Sequence, residues 1–216
     1  MNLQEIKDNP QITEFLKRSK KYLGLYHFTD HGIDHANLVT DRALDIATKI
    51  GLTDKEKELS GITAYIHDMG NFLGRENHEY WGSMLFHNIY QNEDPKDVTT
   101  VMQAIVNHDD YDAKIVNKVA AIVILADKSD VRRSRVMEKD MKTIREYIHN
   151  RVNYAVTNTT LTVKGDRIIL KLQIDTKFVP LIEYFEIFTE RMMQCRKAAE
   201  YLGYKFGLVV NDFKLL

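Results

Sequence analysis

The sequence predicts a mainly α protein: a helical bundle over residues 1–153, followed by a small α+β unit of hairpin, long helix and strand over residues 154–216. Three observations carry this. Apolar residues recur at helical spacing through successive segments, each closed by a capping or breaking residue. One segment, Val119-Ala120-Ala121-Ile122-Val123-Ile124-Leu125-Ala126, is apolar on every side, as a helix at the centre of a bundle must be. From about Val156 the apolar period drops to two.

Residues 4–23 read as helix, with Ile6, Ile12, Phe15, Leu16 and Leu23 as its apolar contacts and Asn9-Pro10 as a point of interruption. A loop rich in aromatics and histidine runs from Gly24 to Gly32. The second helix begins near Ile33 and stops at Gly51. Thr53 and Glu56 form a capping box for the third, which carries Leu59, Ile62, Ala64 and Ile66 and ends at His67-Asp68, where Gly70 breaks it. Asn71 to Asn77 reads as a polar loop. The fourth helix spans about His78 to Tyr90. Asp94-Pro95 opens the fifth, which ends at Asn107-His108. After a turn at Asp109-Asp110-Tyr111-Asp112, the apolar sixth helix runs from about Ala113 to Lys128.

Arg132 to Asn153 is charged and helical in part. Leu161 and Val163, then Ile168, Leu170, Leu172 and Ile174, alternate around a Lys164-Gly165-Asp166 hairpin turn. Leu181, Phe185, Phe188, Met192, Cys195, Ala199 and Leu202 form one stripe on a long helix after Pro180, and Gly203 stops it. Tyr204, Phe206, Leu208 and Val210 alternate as a last strand.

With 216 residues, 44% of them hydrophobic, the chain can bury a proper core. A formal net charge of −1 gives no global electrostatic case for a nucleic-acid or membrane partner. Cys195 is the single cysteine, so no intramolecular disulfide exists, which favours a reducing compartment. The N-terminus lacks a basic-then-apolar signal pattern, and no apolar run reaches the roughly 20 residues of a bilayer span. A cytoplasmic protein is expected. The stripe on the long helix is core or the face of a homodimer, and Cys195 within it should be inert.

The residues that carry chemistry fall at helix ends. His35 opens one helix, His67 and Asp68 close another, His78 opens a third, His108 closes a fourth, and Asp127 closes the central one. Ligands at helix ends can gather at one end of a bundle. Imidazoles mixed with carboxylates suit Mn, Fe or Zn better than Ca. A carboxylate ending so apolar a helix needs a compensating partner, which a cation supplies. Taken singly, each histidine is more often a cap or a satisfied polar group. His31 reads as lying behind His35 or in the loop, and His27, His87 and His149 as ordinary polar groups.

The order His35, His67-Asp68, Asp127 resembles the HD superfamily of metal-dependent phosphohydrolases. His78 with Gly82 four residues on, Ala104-Ile105 before His108, and Leu125-Ala126-Asp127 leading into Arg132-Arg133 resemble its binuclear subgroup, with a likeness to the bacterial symmetrical diadenosine tetraphosphate hydrolases. The resemblance covers about residues 22–135. It implies that His35, His67 and Asp127 hold one metal, that Asp68 is the catalytic carboxylate bridging two, and that His78 and His108 hold the second. It also implies two divalent ions, Fe or Mn first, with Mg, Ni or Zn as alternatives. Phosphodiesterases of the cyclic di-guanylate type carry Lys where Asn71 stands, and a Gly-Tyr-Pro signature missing here, so cyclic di-guanylate is not expected.

Lys128, Arg132 and Arg133 follow the last ligand and are candidates for gripping a phosphorylated substrate; the ordinary alternative is a solvated helix face. Asp109, Asp110 and Asp112 could offer a general acid, although carboxylates in such a turn ordinarily face water. Tyr80 and Trp81 could stack on a base, but core packing is the commoner fate. The expected function is hydrolysis of a phosphoester or phosphoanhydride, in a nucleotide, by a metal-bound hydroxide. The alternative is a metal-bound nucleotide-sensing module with little turnover.

Overall fold

The computed structural model describes residues 1–111 and 114–216; the expected start of the sixth helix at Ala113 and the acid candidate Asp112 lie outside them. Helices α1 (Leu3–Asp8) and α2 (Pro10–Gly24) are divided at Asn9, whose side chain caps α2 by accepting from the Gln11 and Ile12 amides. α3 (Ile33–Lys49) stops before Gly51, which adopts φ +74°. α4 (Asp54–Ile66) begins on the expected Thr53–Glu56 capping box. The segment expected as loop from Asn71 instead starts inside a 3₁₀ turn, Met69–Leu73. α5 (His78–Tyr90) and α6 (Pro95–Asn107) match their expected bounds.

The central helix α7 (Lys118–Lys128) starts later than its apolar sequence suggests. Asn117 caps it by accepting from the Ala120 amide, and residues 114–117 are not helical. The charged segment after it holds a 3₁₀ turn (Arg133–Arg135) and two short helices, α8 (Met141–Glu146) and α9 (Ile148–Ala155).

β1 (Val156–Lys164) and β2 (Arg167–Ile174) form the antiparallel hairpin, turning at Gly165 with φ +59°. α10 (Leu181–Tyr201) returns the chain so that β3 (Lys205–Val210) lies parallel to β2. A short β4 (Phe213–Lys214), absent from the sequence expectation, completes the order β1-β2-β3-β4. Ile168, Leu170, Leu172 and Ile174 face the core, as their alternation requires.

α7 joins the two halves. Ile122 and Leu125 share one core with Leu170 and Leu172 of the sheet and Tyr184 and Phe188 of α10. Val119 and Ala120 belong to a second core with Ile12, Ile62, Phe86 and Ile105. A fully buried Leu, Ile or Phe contributes on the order of 1.5–3 kcal/mol, so the residues that flank Asp127 sit in the best-anchored part of the molecule. No helix among the described residues is long and apolar enough to cross a membrane. Cys195 is buried, and burial pushes its thiol pKa up to about 12. Tyr80 and Trp81 are about half exposed, at 51% and 49%, rather than core.

Candidate metal centre

Two of the four histidines are fixed by the same local device. His67 and His108 each sit at the C-terminal boundary of a helix, where the last carbonyls lack intrahelical partners. Each ring reaches back three residues, Nδ1 of His67 to the Ala64 carbonyl at 2.8 Å and Nδ1 of His108 to the Ile105 carbonyl. The other two open helices. His35 Nδ1 lies 2.7 Å from Oδ2 of Asp130, and His78 Nδ1 lies 3.0 Å from the Arg75 carbonyl. In all four rings Nδ1 therefore carries the hydrogen and donates it outward. In the neutral imidazole Nε2 then carries only a lone pair, and all four Nε2 atoms point into one cluster.

Glycines set how closely α5 approaches. A Cβ on Gly70 would lie 2.1 Å from the His78 carbonyl oxygen and 2.5 Å from the Gly82 amide nitrogen. Gly70 is therefore needed for contact, beyond ending a helix, and it draws His78 in beside Asp68.

The cluster has two halves sharing one carboxylate. In the first, His35 Nε2 lies 3.3 Å from His67 Nε2, 3.3 Å from Asp127 Oδ1 and 3.3 Å from Asp68 Oδ2. His67 Nε2 is 3.2 Å from Asp68 Oδ2 and 3.7 Å from Asp127 Oδ1. In the second, His78 Nε2 is 3.3 Å from His108 Nε2 and 3.2 Å from Asp68 Oδ1, and His108 Nε2 is 3.8 Å from that same oxygen. Asp68 thus turns one oxygen to each pair of imidazoles. Asn71, at the position expected to be a departure, donates from Nδ2 to Asp68 Oδ1 at 2.8 Å and fixes its rotation.

These distances fit cations. Nitrogen and oxygen ligands about 2.1 Å from one ion stand about 3.0–3.4 Å apart in octahedral or tetrahedral sets. Two lone pairs facing at 3.3 Å, with carboxylate oxygens beside them, repel unless a positive charge lies between. Protons can supply part of it. Burial favours neutral His67, but Asp68 and Asp127 outweigh burial and push its pKa up to about 10. At His108, burial together with positive His67, Lys128 and His78 pushes the pKa down to about 3. Burial opposes the charged forms of Asp68 and Asp127, yet His67 and Lys128 respectively hold both well below the usual carboxylate range. Three overlapping groups bring their donor atoms within 4.8 Å of one another: His35, His67 and Asp127; His67, Asp68 and His108; and His78, His108 and Asp109. The six residues predicted as metal ligands are thus brought together, and the cluster can hold metal. Its residue order is compatible with an HD-type site.

Four participants were not foreseen. Asp130, fully buried, accepts from His35 and from Arg132 Nε at 2.8 Å, and buried Arg135 donates from Nη1 to its carbonyl. Its spacing of three from Asp127 is a signal that could have revealed it. Arg75 donates to Asp109 Oδ2 at 2.9 Å and to His78 Nε2 at 3.0 Å. Asn71 is the third. Asp109 is the fourth in effect: expected as a turn carboxylate that faces water, it is instead enclosed between Lys128 and Arg75. Burial would raise its pKa, but Lys128 and Arg75 flank it and hold it ionised.

The predicted substrate cations are spread out. Lys128 is 3% exposed, with Nζ 2.7 Å from Asp109 and 2.9 Å from Asp127, so it neutralises the cluster from within. Arg132 bonds Asp130 and Ser134, one residue behind His35. Arg133 turns to the Tyr154 carbonyl and stacks on that ring. His31 packs 5.5 Å from the His35 ring, in the place expected behind it.

The C-terminal unit braces this end of the bundle. From α10, Gln194 Nε2 donates to the Asp110 carbonyl and Lys197 Nζ to the Tyr111 carbonyl, in the loop that follows His108 and Asp109. Beside Arg75, a cavity of about 490 Å³ is lined by Tyr22, Tyr26, Phe28, Leu73 and Arg75. No protein-family model matches the chain, and no curated protein matches it.

Proposed function

We propose that this chain is a metal-dependent phosphohydrolase acting on a phosphorylated small molecule, a nucleotide. The observation that carries the reading is the shared carboxylate: Asp68 offers Oδ2 to His35 and His67 and Oδ1 to His78. That arrangement suits two adjacent cations better than a structural site, which closes all its positions around one ion. His35, His67 and Asp127 with Asp68 Oδ2 would hold one ion, and His78 and His108 with Asp68 Oδ1 the other. When bound, such ions supply Lewis acidity: they polarise phosphoryl oxygens and lower the pKa of a shared water.

The protein's own residues prepare that chemistry. The Nδ1 donors fix each ring, Asn71 fixes Asp68, and Lys128 keeps Asp109 and Asp127 charged without leaving them exposed. Arg75 stands between the cluster and the cavity lined by Tyr22, Tyr26 and Phe28, where aromatic rings suit a base and a guanidinium suits phosphate.

The test is to load the purified protein with Mn or Fe. It is then screened against p-nitrophenyl phosphoesters, dinucleoside polyphosphates and nucleotides. Metal-dependent phosphate release supports the reading. Thermal protection by a nucleotide without phosphate release would replace it with a sensing module, which the locking of Asp109 between two cations favours by withholding a proton donor. Absence of bound metal after mild purification would reduce the cluster to a structural one.

A further inference from the structure

The second half of the cluster already contains a cation from the chain itself. Arg75 Nη1 uses its two hydrogens on Asn71 Oδ1 at 3.2 Å and His78 Nε2 at 3.0 Å, and it lies 3.8 Å from Asp68 Oδ1. Nη2 donates to Asp109 Oδ2 at 2.9 Å. The atoms it approaches are the ones a second ion would use: the His78 lone pair, the outward oxygen of Asp68 and the Asp109 carboxylate. The first half has no such guest on its imidazoles: among the described residues the groups facing His35 Nε2 and His67 Nε2 are imidazoles and carboxylates, and Lys128 reaches only the other oxygen of Asp127, Oδ2.

Charge separates the halves further. Asp68, Asp109 and Asp127 supply three negative charges, and Arg75 and Lys128 supply two positive ones. One dication in the first half leaves the centre at +1. A second dication beside an unmoved guanidinium would leave +3 in a buried volume, where like charges repel strongly.

We propose that Arg75 is a tethered cation that holds the second half of the centre, so that a second metal ion enters only when the guanidinium swings out. Arg75 sits in the loop between the 3₁₀ turn and α5, its side chain is 31% exposed, and it also lines the cavity with Tyr22, Tyr26 and Phe28. Swung toward that cavity, it presents a planar fork to a phosphate group. The inference rests on the metal reading of the cluster and adds to it an order of binding: one ion tightly, the second in competition with Arg75.

Mn(II) binding by calorimetry, with metal content by elemental analysis, tests this in the wild-type protein and in Arg75→Gln, which keeps an amide to bond Asn71 but removes the charge. Wild type should take one Mn tightly and a second at least about tenfold more weakly than Arg75→Gln does. Equal second-ion affinities in the two proteins would overturn the proposal and leave the metal reading intact. No Mn bound by either would overturn both. A wild-type measurement stands beside these should the variant not fold. Modification of Arg75 by phenylglyoxal, followed by mass spectrometry, should rise as Mn is increased past one equivalent; unchanged or falling modification would contradict displacement.

Discussion

Replacing Asp130 by Asn separates the ligands from the residue that supports them. Asp130 is buried and stands behind the predicted ligand His35, on its Nδ1 side, outside the groups that could hold an ion. Its carboxylate accepts from His35 Nδ1 at 2.7 Å and from Arg132 Nε at 2.8 Å, and lies 3.5 Å from Arg135 Nε. Burial opposes its charge, but Arg135 and then His35 hold its pKa far below the usual range. Two losses follow. Arg135, 1% exposed, is left without its counter-charge, and breaking a buried pair of this kind costs about 3–5 kcal/mol. His35 keeps its tautomer but loses basicity, and changes behind a metal-bound imidazole weaken metal affinity by about 10–100-fold, or about 1.4–2.7 kcal/mol. Against a total stability of about 5–15 kcal/mol, the metal-free variant should be marginal and the loaded one rescued only in part. Urea unfolding with chelator and with Mn, together with Mn calorimetry, gives both quantities. Unchanged Mn affinity alongside lost stability would refute the support of His35 and leave Asp130 as a partner for the two arginines, Arg132 and Arg135.

Other outcomes follow from the same geometry. Asp68→Ala should abolish metal binding and phosphate release together, since each oxygen serves one half; retained activity would rule out the bridge. Gly70→Ala forces a Cβ against the α5 backbone and should destabilise by about 1–3 kcal/mol or more by overpacking, shifting the thermal midpoint down and lowering metal content; a neutral result would mean that α5 is not held there. In metal-free protein His67 has a folded pKa of about 10, above its unfolded value. Its contribution to stability is then fully present below pH of about 6.5 and lost as pH rises through about 10. Metal must displace that proton, so Mn affinity should climb over the same window; calorimetry at two pH values showing affinity flat or falling would contradict it.

Most helix ends were legible because local residues set them. Thr53 with Glu56, Asn9-Pro10 and Asp94-Pro95 each cap through atoms within three residues. α7 starts later than expected because its signal is one side chain, Asn117 accepting from Ala120, masked by an apolar run that continues past it. β4 pairs through two residues only, too few for a period. Within the cluster, His35, His67, Asp68, His78, His108 and Asp127 could be picked by residue type and helix position. Arg75, Asn71 and the enclosed role of Asp109 could not, because an arginine or a turn carboxylate looks solvated until the fold encloses it. Arg133 shows the reverse: it stands near Asp127 in sequence, yet its side chain bonds the Tyr154 carbonyl.

The account depends on cations sitting between those facing imidazoles. Anomalous diffraction at the manganese edge, from crystals grown with one equivalent of Mn, tests this most directly. A peak is expected about 2.0–2.3 Å from His35 Nε2, His67 Nε2, Asp68 Oδ2 and Asp127 Oδ1. A peak elsewhere, or none at the cluster, would contradict it.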